Sequence, residues 1–269
     1  MLPGIALPQA GVRNQSLLTI LAQFNLMTGI GLILDAGDKN SAPSGATSWL
    51  DVSGAGSNFF LGTTSGADAT DPTFNGTAGR LSDAEYFSGD GGDFFTYSAT
   101  NLTWMNSLHK DNALFSGVFW FYPATLGGAI FGTLGSTATG IGVRYGFDSL
   151  GAATFYVNRA GGTTSLLYST TNVITTNTWN FVGISINEAT GAGGLIINTN
   201  GNTETATSTY SSPTTSNASF TLQLMAGGNN LIPLANGSRF GCCAMWQSRA
   251  LTSAEITSIY SATRKRFKV

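Results

Sequence analysis

Gly31-Leu-Ile-Leu-Asp35-Ala-Gly37, followed by Ser48-Trp49-Leu50-Asp51-Val52-Ser53-Gly54, opens the patterned part of this chain, and Trp246-Gln-Ser-Arg249-Ala-Leu-Thr252-Ser-Ala-Glu255-Ile256 closes it. Outward from the first segment the chain reads as strands. Ile141-Gly-Val143-Arg-Tyr145-Gly-Phe147 and Phe220-Thr-Leu222-Gln-Leu224 alternate with period two, which sets their apolar side chains on one face. Leu114 to Tyr122 and Trp179 to Ile186 are denser in aromatic and β-branched residues, as expected of central strands. Turn signals fall between them at Gly127-Gly128, Gly161-Gly162, Gly191 to Gly194, Asn200-Gly201-Asn202 and Gly227 to Asn230. Short strands with this punctuation predict an antiparallel sandwich. The chain then predicts a terminal helix over 252–266, where Thr252-Ser-Ala-Glu255 forms a capping-box pattern and Ile256, Ile259, Tyr260 and Thr263 follow at helical spacing.

Composition narrows the function classes. Hydrophobic residues make up 42% and charged residues 10%, well below the usual quarter, so the polar surface is built from uncharged groups. A net charge of -2 argues against nucleic acid as a partner, and the basic run Arg264-Lys265-Arg266 suits the end of a helix. Leu17 to Leu34 lacks charges, but Gln23, Asn25, Gly29 and Gly31 interrupt it, which argues against a membrane span. Cys242 and Cys243 are adjacent, so on a strand they face opposite ways; they are expected to be reduced thiols, one inward and one outward.

The order of the motifs resembles laminin-G-like, concanavalin A-like jelly-roll domains. In that family a strand ending Asp-Ala-Gly precedes a Ser/Thr-Trp-x-Asp-x-Ser-Gly turn, matched here by Asp35 to Gly37 and Ser48 to Gly54. A Phe-Asp-Gly-x-x-Asp-Tyr segment is similar to Phe87-Ser88-Gly89-Asp90-Gly91-Gly92-Asp93-Phe94, with Ser88 in place of the first Asp and one extra residue. Trp179-Asn-Phe-Val182-Gly-Ile184 and Arg249-Ala-Leu-Thr252-Ser-Ala-Glu255-Ile256 match the later motifs. The Leu-Asp-Ala-Gly opening and the Lys-Arg-Phe ending resemble domains of tailed-bacteriophage structural proteins. The resemblance implies an all-β, two-sheet jelly roll over 30–269 with a short C-terminal helix, and an N-terminal arm over 1–29. It also implies a structural component of a virion, meeting other virion proteins of the capsid or tail.

Chemistry is sparse. Asp83 and Glu85 are the one carboxylate pair that resembles a glucanase strand, with no third acid at the required spacing, so no enzyme activity is expected. His109, the sole histidine, reads as a surface loop residue. Asp90 and Asp93 in their glycine-rich turn are candidate calcium ligands, as in related lectin-like domains, with Asp35 and Asp51 behind them; the alternative is that these acids hold turn amides. Trp104, with Asn101 and Asn106 in the same loop, is the candidate glycan contact, and a packed loop tryptophan is the alternative. Trp120, Trp179 and Trp246 lie in strand patterns and are expected in the core.

The arm is apolar, and Leu17, Ile20, Leu21 and Phe24 share a face of a predicted short helix. That face is expected to dock on another copy or on a capsid or tail scaffold, in a homo-oligomer such as a trimer on a virion axis. Two functions compete: a virion structural protein acting by assembly, and a lectin-like module binding a host-surface glycan.

Overall fold

The computed structural model describes residues 14–98, 104–135, 140–160, 163–206, 210 and 214–269. Its strands are β1 (Ile30–Asp35), β2 (Ser48–Trp49), β3 (Phe59–Leu61), β4 (Thr73–Asn75), β5 (Tyr86–Ser88), β6 (Phe95–Tyr97), β7 (Leu114–Tyr122), β8 (Gly128–Gly132), β9 (Gly142–Phe147), β10 (Ala152–Ala160), β11 (Thr163–Val173), β12 (Asn180–Asn187), β13 (Leu195–Thr199), β14 (Asn202–Ala206), β15 (Gln223–Leu224) and β16 (Arg239–Gln247). Helices α1 (Leu17–Gln23) and α2 (Ser253–Thr263) flank them. One sheet runs β14-β13-β12-β7-β16-β5-β4, with β1 also on β16; the other runs β11-β10-β9-β8-β15-β6-β3-β2. The strand pairs are antiparallel in both. This is the expected jelly-roll sandwich.

Two apolar layers explain the dense central strands. Between the sheets lie Trp49, Phe59, Phe119, Phe121, Tyr145, Phe155, Cys243 and Met245. On the outer face of the first sheet Ile33, Val118, Trp120, Phe181, Cys242 and Trp246 meet the helices. Alternation along β7 and β16 sends successive side chains to opposite faces, and both faces are covered, so the strands read as continuous apolar runs. The two thiols follow this rule: they are free and on opposite faces, and the outward Cys242 is also buried.

The helical layer is anchored by side chains. Thr252 caps α2 and forms the full capping box with Glu255. Ile256 and Ile259 are buried and Tyr260 is half-buried. Beyond the helix, Phe267 stacks on Trp120 at 4.4 Å, and Trp120 Nε1 donates to Thr263 Oγ1 at 2.8 Å.

Two expectations need correction. Leu17, Ile20 and Leu21 do not form a free docking face: Ser16 caps α1, and all three are buried in this chain's own fold, at most 4% exposed. The reason is that α2 leaves apolar surface beside β1 and β16, and α1 packs there, with Leu17 and Leu21 joining the outer layer. Phe24, at the helix C-cap, is 41% exposed; residues 1–13 lie outside the described residues. Phe220 does not join Leu222 and Leu224 inside, because its ring lies over Gly135 and stays 38% exposed. Leu17 to Leu34 folds as a short helix, a turn and β1; among the described residues no helix is long and apolar enough to cross a membrane.

Candidate functional site

The described part of the loop between β6 and β7 contains a 3-10 turn, Trp104–Ser107, which lays Trp104 against β1. The β1–β16 register shifts between Ile30 and Leu32, and Gly31 sits at that irregularity. A Cβ at Gly31 would lie 2.7 Å from Trp104 Cζ2, so only glycine lets the indole rest on the strand. Trp104 is half-buried. It lines a cleft of about 360 Å³ together with Leu108, Asp111, Asn112, Leu114 and Gln247.

The cleft wall is held from behind by Arg159, which is 1% exposed. Its Nε donates to the His109 carbonyl at 2.6 Å and its Nη2 to the Lys110 carbonyl at 2.9 Å. The guanidinium forks onto Glu188 at 2.7 and 2.6 Å, and Asp111 lies 3.4 Å away. Glu188 also accepts from the Ala113 amide at 2.9 Å, so residues 109–113 are fixed at several points. A carboxylate–guanidinium fork fixes geometry as well as charge. The arrangement offers a fixed indole beside amide, carboxylate and apolar groups, which suits a hydroxyl-rich ring.

Of the sequence candidates, Trp104 lines this cleft. Asn106 shares its turn but is not part of the lining; its carbonyl accepts from the Ala218 amide at 3.2 Å. Asn101 lies outside the described residues. His109 is a correction. It is fully buried, donates through Nε2 to the Ser216 carbonyl at 2.9 Å, and burial, then the Lys110 and Arg159 charges, push its pKa down to about 4. Arg159 draws this segment inward and buries the imidazole with it. Asp111, Asn112, Gln247, Arg159 and Glu188 were missed. In a chain with so few charges, an arginine inside a strand and a glutamate directly after one were the available signals.

The acids hold backbone. Asp35 accepts from the Leu17 and Gly37 amides, each at 2.9 Å, and pairs with Arg266. Asp51 accepts from the amides of Ile33, Ser53 and Ser57 and from the Ser53 hydroxyl. Glu85 is buried and accepts from the Ser82 amide and hydroxyl, and Asp83 pairs with Lys268 at 2.9 Å. In the glycine-rich turn, Asp93 Oδ2 accepts from the Asp90 amide at 3.0 Å and Asp90 Oδ1 from the Gly92 amide at 2.9 Å. Among the described residues no group of three or more histidines, cysteines or acids is placed to hold a metal.

Asp93 is itself strained electrostatically. Burial, then the charges of Asp90 and Asp71, raise its pKa from 3.8 to about 6, and its Oδ1 has no partner. The folded state therefore holds this proton more tightly than the unfolded chain. The associated stability is present at low pH and is lost as pH rises through about 6. Asp93→Asn keeps an acceptor for the Asp90 amide and removes the charge. Thermal melts should show the variant more stable than wild type at pH 7.5, with the gap closing towards pH 4.

No family model and no curated protein sequence matches the chain. Solved structures do. The binding domain of botulinum neurotoxin DC in complex with SialylT superposes with a TM-score of 0.58 at 16% identity, over 88% of this chain and 52% of that one. Botulinum neurotoxin type C, which depends upon interaction with two ganglioside molecules to enter cells, gives 0.59 at 15% identity, over 90% and 53%. Domain 4 of AbnA, a GH43 extracellular arabinanase from Geobacillus stearothermophilus in complex with arabinotriose, gives 0.56 at 14% identity, over 86% and 98%. The chain thus spans about half the length of the neurotoxin chains and nearly all of the arabinanase domain. At these identities the likeness concerns the fold alone, a jelly-roll β-sandwich.

Proposed function

We propose that this chain is a non-catalytic glycan-recognition module that uses the Trp104 cleft, and that it is displayed on a tailed-bacteriophage virion as a homo-oligomer. The observation that carries the recognition reading is the cleft itself, where an indole fixed on Gly31 stands beside Asp111, Asn112 and Gln247. Saccharide-bound and ganglioside-dependent neighbours of the same fold support it. The virion setting rests on the resemblance of the Asp35-Ala-Gly37 opening and Lys265-Arg266-Phe267 ending to phage structural domains. Mass spectrometry of purified particles tests it.

A glycan array with the intact chain, followed by calorimetry on the best ligand, tests the recognition reading. Trp104→Ala and Gln247→Ala are expected to weaken binding by about tenfold or more, a change of about 1.4 kcal/mol. Gln247→Ala leaves the Trp104–Gly31 packing alone and so separates binding from folding. The same ligands should be recovered uncleaved after long incubation. Absence of any bound glycan, or full affinity in both variants, would sink this reading; ligand turnover would sink its non-catalytic part.

A further inference from the structure

Three arginines are buried among the described residues: Arg144, Arg159 and Arg266, at 8%, 1% and 4% exposure. Arg159 grips Glu188 and Arg266 grips Asp35. Among the described residues no carboxylate stands within ion-pair distance of Arg144; its partner is Tyr156, whose ring lies 4.3 Å from its Cζ and whose side chain hydrogen-bonds to it. A buried cation without a counter-ion is costly, so its presence asks for an anion that the chain does not supply.

The surroundings supply the rest of a site. Val143 and Tyr145 face the inter-sheet core, so Arg144 between them points to the outer face of the second sheet. Its register partners are Tyr156 on β10 and Gly132 on β8, and Gly146 lies one pair further along. The glycines that line the site are Gly127 and Gly128, and a Cβ at Gly127 would meet nothing within 4 Å, so this edge stays open. The result is a groove of about 260 Å³, lined by Arg144, Tyr156, Thr154, Asp148, Ser149 and Ile232 among others. Asp148 is the acid in this lining; its Oδ1 accepts from the Leu150 and Ala152 amides at 2.9 and 3.0 Å. Ile232 is 45% exposed, and its φ of 49 is a conformation that β-branched residues rarely adopt. Such strain collects at ligand sites.

We propose that this groove is a subsite for the carboxylate of an acidic saccharide, held by the Arg144 guanidinium with the sugar ring beside Tyr156 and Ile232. A guanidinium stacked on a ring keeps its edge for a carboxylate, which it meets with two parallel N–H donors. Asp148, with Ser149, favours a hydroxylated sugar that carries one carboxylate per ring over inorganic phosphate, whose charge sits on one compact group without hydroxyls for these side chains. The assignment goes beyond the Trp104 cleft in place and deepens the glycan reading by naming the sugar class.

The test uses the intact chain and digalacturonate as probe, with galactobiose and inorganic phosphate as comparison ligands, followed by calorimetry and by amide shifts of β9 and β10. Digalacturonate is expected to bind and to shift these amides. Arg144→Gln should lower its affinity at least tenfold, and Arg144→Lys, which keeps the charge but not the fork, should lower it as well. Trp104→Ala should leave this binding in place. Galactobiose and phosphate binding as tightly as digalacturonate, or full affinity in both Arg144 variants, would overturn the assignment. Loss of neutral-glycan binding alone would strike the Trp104 cleft and not this groove. If Arg144→Gln unfolds, Arg144→Lys decides.

Discussion

Arg266→Ala is expected to lower the free energy of unfolding by about 3–5 kcal/mol. Asp35 is fully buried and Arg266 is 4% exposed. Nη1 donates to Oδ2 at 2.9 Å and Nη2 stands 2.7 Å from Oδ1. Removing the guanidinium leaves a buried carboxylate whose remaining donors are the Leu17 and Gly37 amides. It also cuts the link between the first strand, α1 and the C-terminal turn. The pair is worth much less than its breakage suggests, because desolvating both charges offsets their attraction. Asp35→Leu with Arg266→Met should therefore recover only part of the loss, because the Leu17 and Gly37 amides are left without an acceptor, while Asp35→Leu alone should be as damaging as Arg266→Ala. Urea unfolding at an unchanged m-value checks this. A loss below about 1 kcal/mol for Arg266→Ala would show that the pair does not hold the layer.

The same pair explains a motif that sequence reading met only as a resemblance. The Asp-Ala-Gly opening and the Arg-Phe ending are 231 residues apart, yet they are one unit. Asp35 receives Arg266, and a Cβ at Gly37 would lie 2.5 Å from Arg266 Nη2, so glycine there clears the path. Asp51 shows the same logic by holding β1 to the following turn through the Ile33 amide. Periodicity made the central strands and their buried tryptophans legible. It could not show that Trp120 and Trp246 face the helices and not the other sheet, since both faces of β7 and β16 are apolar. The arm's composition required burial, but whether against its own sandwich or a neighbour depended on the groove left beside α2. Of the cleft, Trp104 was legible as a loop tryptophan. The Arg159–Glu188 fork that shapes the wall joins residues 29 apart and has no local signature.

That fork leads to the second large effect, acid destabilisation through His109. Burial, then Lys110 and Arg159, lower its pKa from 6.5 to about 4, and neutral imidazole is the form that fits: Nε2 donates to Ser216 while Nδ1 has no partner. Between pH 6.5 and about 4 the unfolded chain binds more protons at this site than the folded one. Stability is thus full above pH 6.5, falls as pH drops, and levels off near pH 4. A displacement of that size corresponds to roughly 3–3.5 kcal/mol. Asp93 pulls the other way over much of the same range, so the measurement belongs in Asp93→Asn. In that background His109→Gln, which keeps a donor for the Ser216 carbonyl, should be less stable at pH 7.5 and lose less on going to pH 4.5 than its parent. Urea unfolding across that range, with imidazole shifts reporting a neutral ring at pH 5, provides the check. Equal slopes in the two proteins would mean that protonation of His109 is not what weakens the fold in acid.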